Sequence, residues 1–135
     1  MHPTEFLQGG TVSVSAETYA VCRTDNPPPS AFATVQDGRE TTVVVETAAL
    51  DDLDATAVEA DWHRLTFEME LPFELVGFLA TVTTALAEAG VSVFVISSFA
   101  TDHVFVPVEE CPRAVETLDR LGCRVAMGSG QPGES

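Results

Sequence analysis

Residues 63–107 read HRLTFEMELPFELVGFLATVTTALAEAGVSVFVISSFATDHVFVP, and the change of hydrophobic period along them decides the fold. The first seven alternate, with Leu65, Phe67 and Met69 on one face and Thr66 and Glu68 on the other, the period of a half-buried strand. Pro72 then marks a helix start, and between Phe73 and Ala89 the apolar residues Leu75, Phe78, Leu79, Val82, Leu86 and Ala89 recur every three or four positions. Gly90 suits the residue just past a helix end. Two further strands follow, VSVFVIS and HVFVPV, rich in β-branched and aromatic residues and separated by a short polar break.

Working outward, a second helix is expected over 109–121, with Pro112 tolerated in its first turn, Ala114, Val115, Leu118 and Leu121 facing inward, and Gly122 stopping it. CRVAM supplies a last strand. The order is β-α-β-β-α-β, a ferredoxin-like α+β unit. Upstream, TYAVCR and TTVVVE read as strands, NPPPSAFATV as a rigid turn leading to a short helix, and ALDDLDATAVEA as room for a second short helix before Trp62. The chain is therefore expected to hold two ferredoxin-like (βαββαβ) halves packed together, the first degenerate: residues 1–61, residues 62–127, and a flexible tail over 128–135. In the strands of the second half Val91, Val93 and Val95 oppose Phe94 and Ile96, while Val104 and Val106 oppose Phe105. Helices cover only one sheet face of such a unit, so the second face must be covered by the other half or by another subunit.

Composition bounds the function. Among 135 residues, 21 are acidic and 6 basic, all six Arg, for a net charge of −15. A surface so acidic repels nucleic-acid phosphates and anionic lipid, which argues against either as a partner. Acids spread along the whole chain without any Lys point to a salt-loving microbe, where ionic strength screens self-repulsion. MHPTEFLQGG has neither the basic nor the apolar region of a signal peptide, and no apolar run is long enough to span a bilayer. Cys22, Cys111 and Cys123 include no C-x-x-C pair, which fits reduced thiols and a cytoplasmic location.

Most candidate chemistry fails on its requirements. GSGQPG near the C-terminus matches a dinucleotide fingerprint with no helix to follow it. DDLDATAVEAD lacks the Gly and spacing of a calcium loop, and His2, His63 and His103 form no zinc motif, so no metal and no cofactor is expected. Ser97, Asp102 and His103 are the residue types of a nucleophile triad, but neighbouring strand residues point to opposite faces and no G-x-S-x-G elbow is present, so no catalytic residues are assigned. A better constellation joins the helix start LPFELVGFLA, a seat for a carboxylate, to the strand end VFVISS with Thr101 and Asp102. Gly77, taken to lie inside the helix, costs about 1 kcal/mol there against Ala, which implies a packing or access reason. Together these groups could hold a molecule bearing a carboxylate and an ammonium; on the residues alone the alternative stays open that Gly77 only permits close helix–sheet packing and Asp102 is a turn residue.

YAVCR, TTVVVE, the long run from Trp62 to Pro107 and CPRAVETLDRLGCRV resemble a small family of stand-alone prokaryotic tandem ACT-domain proteins, themselves similar to the cytosolic arginine sensors of animals. The likeness covers roughly residues 18–126 and is most specific in F-x-L-x-G-x-L-A at Phe73–Ala80, in LAEAGVSVFVIS, and in S-x-x-x-T-D-x-V-x-V-P at Ser97–Pro107. It implies a non-catalytic regulatory protein, from a halophilic archaeon by its composition, that binds a small effector, an amino acid, at an ACT–ACT interface in a homodimer. By position, Asp102 would recognise the effector, with contacts from Phe73, Glu74, Leu75, Gly77, Ile96, Ser97, Ser98 and Thr101. Phe99, Ala100 and His103 depart from the family pattern, so the identity of the effector does not transfer. The competing reading is a ligand-free interaction module that assembles with a partner enzyme through its apolar sheet faces.

Overall fold

The computed structural model describes residues 7–69 and 77–128. They form a mixed α+β structure in which strands predominate: β1 (Thr11–Val14), β2 (Tyr19–Thr24), β3 (Ala33–Gln36), β4 (Thr41–Glu46), β5 (Ala55–Phe67), α1 (Phe78–Glu88), β6 (Phe94–Ser97), β7 (Asp102–Pro107), α2 (Cys111–Arg120) and β8 (Arg124–Met127). Single 3₁₀ segments occupy Thr47–Asp52 and Val108–Glu110. The chain divides into two compact units, one of residues 1–16 and 63–135, the other of residues 17–62.

In the larger unit the strands run in the order β6-β7-β5-β1-β8. The alternation read over His63–Met69 is realised: Leu65 and Phe67 are buried, and Met69 packs against the same core. Phe78, Val82 and Leu86 of α1, with Ala114 and Leu118 of α2, cover that face. Val104 and Val106 join this core, whereas Phe105 points to the opposite face, is itself fully buried, and stacks on Phe94 with ring centroids 4.4 Å apart. Burying a side chain of this size contributes roughly 1.5–3 kcal/mol. α2 follows its 3₁₀ turn with Pro in the first turn, where the missing N–H costs no helical bond. β6 starts three residues later than the apolar run at Val91, which is nevertheless buried.

Residues 1–16 belong with this unit, not with the half bounded at 1–61 by sequence. β1 lies between β5 and β8, antiparallel to the first with Val12 opposite Phe67, and parallel to the second with Val12 opposite Val125. Leu7, Val12 and Val14 are fully buried in its core. Four residues from the N-terminal end thus sit between β5 and β8, strands that begin at Ala55 and Arg124. Gly128, assigned by sequence to the tail, packs on the same strand: a Cβ there would meet the Ala16 nitrogen at 2.3 Å, so only Gly fits. Residues 129–135 lie outside the described residues.

The smaller unit has the order β3-β4-β2-β5. Its core is Ala20, Cys22, Val43 and Val45, with Leu50 and Leu53 against it. The helix expected in NPPPSAFATV is absent; Ala33–Gln36 is an edge strand paired with β4, Val35 opposite Thr42. Asn26, Pro27 and Pro28 each precede a proline, which biases them to extended backbone; a turn at Pro29 and Ser30 follows, with Ala31 N–H donating to the Pro28 carbonyl at 3.2 Å, and the β-branched Thr34 and Val35 then find strand partners. The second expected helix survives as the 3₁₀ segment Thr47–Asp52. β5 gives its first half to this unit and its second half to the other. The register with β2 slips between Tyr19 and Val21, and Asp61 holds a positive φ of 71° at the slip. A residue of this kind, extra in the ladder and left-handed, is the signature of a β-bulge.

Candidate functional site

The end of β5 gathers the two elements singled out by sequence. Its last residue, Phe67, meets Phe78, the first residue of α1, edge to face at a centroid distance of 5.4 Å. The Phe67 carbonyl accepts a hydrogen bond from the Thr101 hydroxyl in the β6–β7 hairpin. One residue therefore ties both the helix start and the hairpin to the same end of the sheet. Gly77 is not inside the helix. It precedes α1 with φ of 85°, and its carbonyl accepts from both the backbone and the hydroxyl of Thr81. The reason for glycine is this left-handed conformation, which costs a residue with a Cβ considerably more.

The hairpin closes through Ser98 N–H donating to the Thr101 carbonyl at 2.9 Å, leaving Phe99 and Ala100 at its tip. Phe99 is 84% exposed. Behind the tip, Ser97 stands opposite Asp102, and Ile96 opposite His103. Alternation then divides the candidates. Ser97 and Asp102 share the face of Val95 and Val104, which pack into the helix-covered core; Ile96 and His103 share the face of Phe94 and Phe105. The Ser97 hydroxyl donates to Asp102 Oδ1 at 2.6 Å. On the opposite face His103 Nδ1 lies 3.1 Å from the Thr66 hydroxyl, and Nε2 lies 3.4 Å from the Ser98 hydroxyl. Asp102 and His103 thus serve different partners, the separation that argued against a triad. Phe73, Glu74 and Leu75 lie outside the described residues.

Burial, then the Arg64 charge, lowers the His103 pKa, against the opposing pull of Asp102 and Glu68. The ring is accordingly neutral at pH 7. All three cysteines are free and buried; burial raises each thiol, and for Cys123 the nearby Asp119 helps push it up to about 11. Thiols so held are poor nucleophiles and poor metal ligands. Among the described residues no three His, Cys, Asp or Glu side chains gather to hold a metal ion, and no helix is long and apolar enough to cross a membrane. Sequence reasoning missed Thr66 and the Phe67 carbonyl. The alternation carried Phe67 as a core residue, but a backbone acceptor leaves no mark in the sequence.

The profile of the ACT domain matches residues 57–120, a span that includes α1, the hairpin and α2. No curated protein matches the chain significantly. Among solved structures, a protein from Agrobacterium tumefaciens is similar with a TM-score of 0.77 at 19% identity, over 91% of this chain and 96% of that one. A protein of unknown function from Vibrio cholerae, described as a possible transport protein, gives 0.67 at 29% identity, over 88% and 94%. The ligand-free regulatory subunit of aspartate kinase from Thermus thermophilus gives 0.61 at 11% identity, over 85% and 98%. The fold is that of ferredoxin-like ACT regulatory domains.

Proposed function

We propose that this chain is a non-catalytic regulatory protein that binds a small effector, in the first instance an amino acid, where ACT units meet. The proposal extends to a cytoplasmic homodimer that needs neither metal nor cofactor and engages neither nucleic acid nor membrane. One observation carries it: the ACT match spans the hairpin on which Ser97 and Asp102 are joined. The likeness in fold to a protein described as the regulatory subunit of aspartate kinase supports the regulatory reading. Asp102 is the proposed effector contact, assisted by Gly77, Ile96, Ser97, Ser98, Thr101 and the Phe73–Leu75 segment. A shift in packing between ACT units on binding would transmit the signal.

A thermal-shift screen of the twenty amino acids in concentrated KCl tests this. Effector at a hundredfold its dissociation constant adds about 2.7 kcal/mol of stability by mass action. Asp102→Ala should abolish the shift and leave the ligand-free midpoint nearly unchanged, because the carboxylate is only partly buried and accepts its hydrogen bond from the exposed Ser97. Absence of any shift would sink the proposal. The rival, an interaction module without a ligand, draws on the edge strand β3, where Val35 is 59% exposed. Co-elution of a partner enzyme that Val35→Glu abolishes, with no amino-acid response, would favour it.

A further inference from the structure

On the sheet face away from α1 and α2, His103 joins the β6–β7 hairpin to β5 through both ring nitrogens, and its neighbours decide which nitrogen carries the proton. A serine hydroxyl has one proton to give, and Ser98 gives it to the Thr101 carbonyl at 3.1 Å. Ser98 therefore turns a lone pair to His103 Nε2, 3.4 Å away, so Nε2 bears the hydrogen and donates. Nδ1 is then the acceptor and takes the proton of the Thr66 hydroxyl at 3.1 Å. Only a neutral ring makes this arrangement, because a second proton would go to Nδ1 and meet the one Thr66 presents. The surroundings oppose that proton as well. Ile96 stands opposite His103 across the ladder, Phe105 lies two residues along on the same face, and Arg64, two residues from Thr66 on β5, adds its cation. Asp102 of β7 and Glu68 at the end of β5 pull the other way, and burial together with Arg64 outweighs them.

We infer that His103 is a pH-sensitive tie on the hairpin: neutral, it holds Ser98 and the start of β7 against Thr66 of β5; protonated, it gives up the Thr66 proton and loosens the hairpin. The Thr101 hydroxyl still donates to the Phe67 carbonyl in acid, so the hairpin opens more often without leaving the sheet. The tie belongs to the hairpin whatever the hairpin binds. Its consequence for the Ser97–Asp102 face, a weaker effector affinity in acid, rests on the reading of that face as the effector site.

The test uses the full chain in concentrated KCl. Nitrogen NMR of ¹⁵N-labelled histidine, with His103 assigned by its absence in His103→Gln, should show the Nε2–H tautomer at pH 7.5 and a titration midpoint below the ordinary 6.5 that Thr66→Val moves upward. Hydrogen exchange over 94–107 is then read at pH 7.5 and at one pH unit below that midpoint, each time relative to His103→Gln, which cancels the direct effect of pH on exchange. Gln keeps an acceptor for Thr66 and a donor for Ser98 and does not titrate. The wild-type ratio should rise about 3- to 10-fold in acid, the loss of one hydrogen bond, while the ratio over α2 stays within about twofold. Thr66→Val should show the faster exchange already at pH 7.5. An Nδ1–H tautomer, a hairpin ratio that stays flat while His103 titrates, or an equal rise over α2 overturns the inference. An amino acid other than histidine that binds the chain should lose the same factor of affinity in acid with wild type and keep it with His103→Gln. A hairpin that loosens with no change in that affinity leaves the tie standing and counts against the effector-site reading.

Discussion

Replacing Val12 by Ala probes the assignment of the N-terminal strand, the point at which the observed division of the chain departs from its apparent one. Val12 is fully buried between Phe67 on one neighbouring strand and Val125 on the other, inside the core that α1 and α2 cover. Removing two methyl groups loses about 1.6 kcal/mol of transfer free energy, and the unfilled space between two strands brings the total to about 2–3 kcal/mol. In native-state hydrogen exchange read by mass spectrometry, that loss speeds opening roughly 30- to 150-fold for the amides it governs. The accelerated amides should be those of α1, β6, β7, α2 and β8, more than sixty residues away in sequence. Those of β2, β3 and β4 should keep their rates, and Val43→Ala, in the other core, should give the reverse pattern. Faster exchange over 19–46 with unchanged protection of α1 and α2 would refute the placement of β1.

Three further outcomes follow from local geometry. Asp61→Val forces a β-branched residue into a positive φ and should lower stability by about 1–2 kcal/mol, whereas Asp61→Gly should stay within about 0.5 kcal/mol; equal midpoints in urea for all three proteins would remove the bulge from the account. Because His103 has a lowered pKa in the folded chain, the unfolded chain binds its proton first: the contribution is complete above the ordinary value of 6.5 and is lost as pH falls through the folded one. Wild type should therefore lose stability relative to His103→Gln between pH 7.5 and 5.5, and parallel curves would contradict this. Finally, Cys22, Cys111 and Cys123 should resist a thiol reagent at pH 8 in the native protein and all react in denaturant, since each is buried with a raised pKa; rapid labelling of Cys123 in the native state would be inconsistent with its surroundings.

Much of the larger unit was legible in advance, because periodicity is a local property. Leu65 and Phe67 alternate, Phe78, Val82 and Leu86 recur at helical spacing, and each is buried where that spacing placed it. The smaller unit misled because its elements are short and propensity is weak over four residues: Ala33–Gln36 became a strand only through pairing with β4. For the candidate site, the sequence supplied the residue types and the polar break between two apolar strands. It also supplied the alternation that puts Asp102 and His103 on different faces.

What the sequence alone determined is therefore the α+β class, the core face of each long element, the acidity that disfavours nucleic acid, and the hairpin that carries Ser97 and Asp102. Tertiary structure alone decided three things. It inserted Thr11–Val14 between β5, in the middle of the chain, and β8, near its far end, a non-local pairing that no window of sequence encodes. It gave Gly77 its left-handed turn ahead of the helix. And it committed the Ser97, Ser98 and Thr101 protons to partners inside the unit, because a hydroxyl's single donor goes wherever folding brings an acceptor within reach.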